Sequence, residues 1–184
     1  MSKRIALLSA AAFSVLAITS TIVAPARAEE KTVMVGGAAM FPSKNIIQNA
    51  VNSKDHTTLV AAVKAAGLVE TLEGKGPFTV FAPTNAAFGK LPAGTVDTLV
   101  KPENKAALTK ILTYHVVPGK LEASSLTDGK KLKTVEGEEL TVKRTGDKVT
   151  IVDAKGGAST VTIADVNQSN GVIHVVDTVL MPAS

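Results

Sequence analysis

The side chains of this 184-residue chain best suited to acid–base or metal chemistry are three histidines, one tyrosine and scattered carboxylates. The histidines are His56, His115 and His174. None has a second histidine three to five residues away, so the local spacing of a zinc site is absent. There is no cysteine. That removes disulfides, thiolate metal sites, iron–sulfur clusters and cysteine nucleophiles. Glu138-Glu139 is an adjacent pair whose side chains take opposite faces of a strand, a poor start for paired-carboxylate catalysis. Asp147, Asp153 and Asp165 sit near turns and do not follow a calcium-loop pattern. No G-x-S-x-G elbow, no P-loop and no G-x-G-x-x-G after a strand is present. The chemistry therefore predicts no enzyme, no metal and no cofactor. Asn167-Gln168-Ser169 matches a glycosylation sequon, a pattern common enough in sequences to carry little weight alone.

These few groups must be held by a core with little aromatic content. Five phenylalanines, one tyrosine and no tryptophan make up 3% of the chain, against 45% apolar residues. Valine, leucine, isoleucine and alanine must fill the interior, and no aromatic series exists for stacking bases. Residues 1–28 read as a secretory signal. Lys3 and Arg4 precede an apolar stretch from Ile5 to about Ala24, and Ala26-Arg27-Ala28 fits small-x-small cleavage after Ala28. Removing Lys3, Arg4 and Arg27 takes the net charge from +4 to +1. The mature chain is nearly neutral and lacks the basic stripe of a nucleic-acid binder. Lys130-Lys131 with Lys133, and Lys143-Arg144, lie near Glu136, Glu138 and Glu139 and read as solvated mixed-charge surface. No later segment is long and apolar enough to span a bilayer. The product is expected to be exported, periplasmic or secreted, and monomeric.

Residues 29–42 lack consistent periodicity around Gly36-Gly37 and read as a flexible lead-in. Residues 43–184 read as one domain. Ile46, Ile47, Ala50 and Val51 predict a helix over Asn45–Asn52. Leu59, Val63 and Ala66, with Asp55 or Thr57 as cap and Gly67 as stop, predict a second. Phe78–Ala82 is a β-rich run between prolines, followed by a short helix capped by Thr84 with Phe88 facing inward. Ala107, Leu108, Ile111 and Leu112 form the stripe of Glu103–Thr113. The period then changes to two. His115–Val117, Leu132–Val135, Glu139–Arg144, Lys148–Asp153, Ser159–Val166, Val172–Val176 and Thr178–Met181 read as strands. Thr145-Gly146-Asp147 is a hairpin turn. Helices fill the first half and antiparallel strands the second, an α+β arrangement.

Three segments in order resemble the fasciclin (FAS1) domain. They are Thr79–Phe88 (TVFAPTNAAF), Tyr114–Gly119 (YHVVPG) and Gly171–Pro182 (GVIHVVDTVLMP). The resemblance covers roughly Ser43–Ser184. It implies a helix-flanked, wedge-shaped β-sandwich and a role in cell adhesion or matrix interaction, with Tyr114 and His115 as the segment tied to adhesion. The partner would be a surface protein or polysaccharide. Read as residues, the boxes are mainly structural. Phe81 and Phe88 are core fillers, Thr84 caps, and Asn85 reaches a neighbouring loop. Val172, His174 and Val176 share one strand face, while Ile173, Val175 and Asp177 share the other. His174 in an apolar strand needs a hydrogen-bond partner, and Asp177 tethers a turn. Tyr114 is expected inside and His115 is the more accessible of the pair. The second functional reading is a soluble carrier of a small apolar ligand in a cleft between helices and sheet, marked by a deep pocket of Val, Leu and Phe.

Overall fold

The computed structural model describes residues 31–183. The signal segment and its cleavage site lie outside the described residues. The helices are α1 (Ile46–Ala50), α2 (Thr57–Ala66), α3 (Val69–Glu73), α4 (Asn85–Gly89), α5 (Thr95–Leu99) and α6 (Lys105–Tyr114). Leu59, Ala62, Val63 and Ala66 give α2 its buried stripe, and Gly67 ends it in the left-handed region at φ 74°. Leu108, Ile111, Leu112 and Tyr114 do the same for α6.

The strands are β1 (Val33–Val35), β2 (Ala38–Met40), β3 (Phe78–Pro83), β4 (Val116–Pro118), β5 (Lys131–Lys133), β6 (Glu139–Thr145), β7 (Lys148–Val152), β8 (Ala158–Gln168) and β9 (Gly171–Val176). Seven of them form one sheet in the order β4-β3-β9-β8-β7-β6-β5. β8 serves both halves. Its start pairs with β7 and its remainder with β9, with register shifts after Val161 and Ile163. Such bulges bend a strand and raise its twist. The two ends of the sheet then meet: Val135 N–H donates to the Val116 carbonyl at 2.8 Å. The result is a nearly closed sandwich.

Alternation along β3 and β9 divides the interior in two. Val80, Ala82, Ile173 and Val175 face the helices. Phe81 and Val176 face Leu126, Leu140, Val142 and Ile151 within the sandwich.

Within the expected lead-in, β1 and β2 form a hairpin through Gly36-Gly37, and Val35 and Met40 join the helix-side core. The glycine turn needs φ of 58° and 76°, which suits a two-residue hairpin but hides any periodic signal. Three expectations change. β3 and β9 run parallel, whereas their other neighbours are antiparallel. Thr178–Met181 is not a strand; Ser159 and Asp153 hold it by its backbone N–H groups. Finally, α6 continues through Tyr114, and His115 is its C-cap in αR geometry, not the first residue of a strand.

Candidate functional site

The three boxes converge on β3, the end of α6 and β9. Tyr114 is fully buried in the sandwich core. Its phenol oxygen accepts Ala154 N–H at 2.9 Å. Burial raises its pKa, and the nearby Asp153, Glu138 and Glu136 carboxylates add to that, while the Ala154 hydrogen bond opposes it.

His115 is also buried, at 2% exposure, so the accessible ring expected from the sequence is corrected. The physical reason is that both ring nitrogens find backbone partners. Nδ1 meets the Ile111 carbonyl at 2.8 Å, and Nε2 meets Leu180 N–H at 3.0 Å. An amide can only donate, so Nε2 is the acceptor and Nδ1 carries the proton. Burial lowers the pKa to about 4, against the Ile111 carbonyl and Asp153, which favour the charged ring.

His174 is fully buried beside Phe81, with ring centroids 5.7 Å apart at 25°. Its Nε2 lies 2.7 Å from the Leu121 carbonyl, and Nδ1 accepts Asp165 N–H at 3.4 Å. Burial lowers its pKa; the Leu121 carbonyl and the Asp165 and Glu122 carboxylates oppose the shift. Thr79, which sequence reasoning missed, grips the same loop: its hydroxyl donates to Gly119 O at 2.6 Å and accepts Leu121 N–H at 2.9 Å.

The first box also builds the helical layer. Thr84 Oγ1 accepts Ala87 N–H at 3.2 Å, and Phe88 is buried against the helix-side core. Neither Asp55 nor Thr57 caps α2; Asn85 does so from α4. Its Oδ1 accepts Thr58 N–H at 3.0 Å, and its Nδ2 donates to Lys54 O at 2.8 Å and Thr57 Oγ1 at 2.9 Å. Asp177 accepts Thr160 N–H at 2.8 Å and the Thr178 hydroxyl at 3.0 Å. Burial would raise its pKa, but these bonds and Lys90 hold it below the usual carboxylate value. Asn170, in the turn before β9, clamps the start of α1 and the end of α3 to that turn. It accepts Ile46 N–H and donates to Leu72 O and Gly74 O.

A cavity of about 40 Å³ lies between the helices and the sheet, lined by Leu59, Val63, Val80 and Ile173 among others. His56 and His115 are its polar residues. His56 Nδ1 is 2.9 Å from Ser53 Oγ, while its buried Nε2 makes no hydrogen bond among the described residues. Burial lowers the His56 pKa, offset in part by the Ala82 carbonyl and Asp55. Among the described residues, no group of three His, Asp or Glu side chains is placed to hold a metal ion, and no helix is long and apolar enough to cross a membrane.

The fasciclin domain model matches residues 54–182. Protein sll1483 of Synechocystis is 49% identical over 167 residues, covering 91% of this chain and 89% of that protein. Immunogenic protein MPB70 of Mycobacterium bovis is 40% identical over 138 residues, covering 72% of this chain and 66% of that one. Transforming growth factor-beta-induced protein ig-h3 of Sus scrofa is 39% identical over 142 residues, 76% of this chain but 20% of that protein. In fold, the FAS1 domain pair of the insect cell adhesion molecule Fasciclin I superposes with a TM-score of 0.68 at 18% identity, covering 77% of this chain and 52% of that one. The chain belongs to the fasciclin family.

Proposed function

We propose that this chain is an exported, non-enzymatic interaction module that binds a component of the cell surface or matrix. The observation that carries this reading is the use made of the box side chains. Tyr114, His115 and His174 each spend their polar atoms on backbone groups inside the fold. The boxes thus act as internal fasteners, and the outer sheet and helix faces are left for a partner. Relatives named as an insect cell adhesion molecule and a cell surface glycolipoprotein support the same reading. In this account Tyr114 and His115 serve binding by fixing the loops around them. Export by cleavage after Ala28, to the periplasm or beyond, and a monomeric state belong to the proposal. The test is sedimentation of the purified mature chain with the envelope fraction of its own host. Saturable co-sedimentation supports it; a chain that stays in the supernatant at every envelope concentration defeats it.

A second reading is favoured by the cavity: a carrier of a small apolar ligand that offers one polar atom to His56 Nε2. At about 40 Å³ the cavity holds no more than a few water-sized spheres. Pockets for larger ligands run to several hundred Å³, so loading requires the hairpin or helices to part. Organic extraction of the natively purified protein decides it. A compound recovered at one per chain supports the carrier, and an empty extract removes it.

A further inference from the structure

Lysines of the two short clusters that read as solvated mixed-charge surface in the sequence are brought, together with Lys148, onto one sheet face. The inner face of β5–β6–β7 is apolar, with Leu132, Leu140, Val142, Val149 and Ile151 buried. The outer face carries Lys131 and Lys133 on β5, Lys143 on β6 and Lys148 on β7, all exposed. Register sets their geometry. Lys131 lies opposite Thr141, Lys143 opposite Thr150, and Lys148 opposite Thr145. Lys131, Lys143 and Lys148 therefore descend diagonally, each step crossing one strand and advancing two residues. That spaces their backbones by roughly 8 Å.

Two features make this more than a soluble surface. Lysines on an edge strand blunt edge-to-edge pairing. That accounts for Lys131 and Lys133, but β6 and β7 are interior strands of the sheet. Next, the counter-charge is sparse. Glu139 is 3.3 Å from Lys131, and Asp147 occupies the β6–β7 turn. Lys133, Lys143 and Lys148 make no ion pair among the described residues. Each lysine of the diagonal stands beside a threonine, so cations alternate with hydroxyl groups. No aromatic residue lies on these three strands, and nothing on them can stack a base.

We infer that the outer face of β5–β6–β7 binds an acidic polysaccharide, its carboxylates meeting Lys131, Lys143 and Lys148 and its ring hydroxyls meeting the threonines. This rests on the interaction-module reading and names the class of partner. Charge complementarity selects the occupant: a repeating anion fits a repeating cation row, and alternating hydroxyls fit a sugar better than a lipid surface.

The probe is sodium polygalacturonate, immobilised, with neutral dextran, single-stranded DNA and phosphatidylglycerol vesicles as comparators. The mature chain is expected to bind polygalacturonate at low salt, release it at high salt, and ignore dextran. Three exposed ion contacts at ordinary strength correspond to about one decade of affinity. The triple variant Lys131→Glu, Lys143→Glu, Lys148→Glu should therefore bind at least about tenfold more weakly. The triple glutamine variant, which keeps the surface polar, should fall between. A control with Lys64→Glu, Lys75→Glu and Lys101→Glu makes the same change in net charge on other elements and should bind as the wild type does. Equal loss in both triple glutamate variants would reduce the effect to net charge and overturn the inference. So would DNA or vesicle binding as tight as polygalacturonate binding. If the face variant still co-sediments with host envelopes as the wild type does, this inference fails and the interaction reading stands. If the wild type binds neither envelopes nor polygalacturonate, that reading fails too.

Discussion

His115 Nε2 accepts the backbone N–H of Leu180 at 3.0 Å, tying the end of α6 to the segment that follows β9. The bond exists only while the ring is neutral, because protonation at Nε2 turns the acceptor into a donor facing a donor. The folded-state pKa is about 4, lowered from 6.5 chiefly by burial. The sign follows by linkage. Between those values the unfolded chain binds the extra proton, so stability rises with pH. The contribution is complete above the unfolded pKa and is lost as pH falls towards 4. Its size is about 3 kcal/mol. His56 and His174, lowered by burial in the same direction, add to it. Urea midpoints at pH 7.5 and pH 4.5 should differ clearly, and His115→Gln should shrink the difference. Equal wild-type midpoints at the two pH values would contradict the buried neutral ring.

Tyr114 separates packing from recognition. Tyr114→Phe keeps the ring and removes only the hydrogen bond to Ala154 N–H, whose residue is solvent-exposed, at a cost of about 0.5–1.5 kcal/mol. Tyr114→Ala also empties a fully buried site and should cost about 3–5 kcal/mol. Equilibrium denaturation ranks the two. A wild-type midpoint for Tyr114→Ala combined with lost envelope binding would make the tyrosine a contact residue.

The alternation of Val172–Val176 was readable because one neighbour-independent rule, period two, assigns each side chain to a face. Val175 and Val176 do fall in different cores. The Thr84 cap and the Gly146 turn were readable for the same reason, since each is a local event. The burial of His115 was not, because its second partner is 65 residues away. Nor was the parallel pairing of β3 with β9, which depends on how the chain crosses over between them. The lysine diagonal is of the same kind: Lys131, Lys143 and Lys148 become neighbours only once the register of three strands is known.

Asn85 should matter more than the adjacent cap. Thr84→Ala removes one hydrogen bond at the start of α4 and should cost about 1 kcal/mol. Asn85→Ala releases Thr58 N–H, Lys54 O and Thr57 Oγ1 together and should cost about 2 kcal/mol. Midpoints from matched urea titrations settle the order. Thr84→Ala as the more costly change would mean that α2 is held by its packing and not by this clamp.

At Gly171 the backbone of β9 lies close against Phe78 of β3. A Cβ there would stand 2.0 Å from Phe78 O and 2.9 Å from Phe78 N. Both are backbone atoms of a paired strand, so neither can swing aside. Gly171→Ala should cost more than about 3 kcal/mol, at the upper end for one substitution. Circular dichroism with urea unfolding reads the loss, and a change within about 0.5 kcal/mol would rule out this close pairing.

The β1–β2 hairpin gives the sharpest test of the N-terminal segment. A two-stranded hairpin alone is marginal in water. Any protection it shows must come from docking. Three contacts argue that it docks. Val35 and Met40 are each 3% exposed. The Gly36 carbonyl accepts Lys54 N–H at 3.2 Å. A Cβ on Gly36 would come within 2.3 Å of Ser53 Oγ and 2.8 Å of Asp55 N, so the turn fits against the loop before α2 with no room to spare. Val35 and Met40 also line the cavity, so the hairpin is one of its walls. Hydrogen exchange read by mass spectrometry should find residues 33–40 slowed well below the free-chain rate. Met40→Ala should cost about 2–5 kcal/mol and speed exchange in the whole hairpin, because it removes the side chain that seats it. Gly36→Ala should loosen the same segment by clash and positive φ while leaving β9 protected. Exchange of residues 33–40 at the free-chain rate in the wild type would mean the hairpin does not dock, and that the cavity is open on that side.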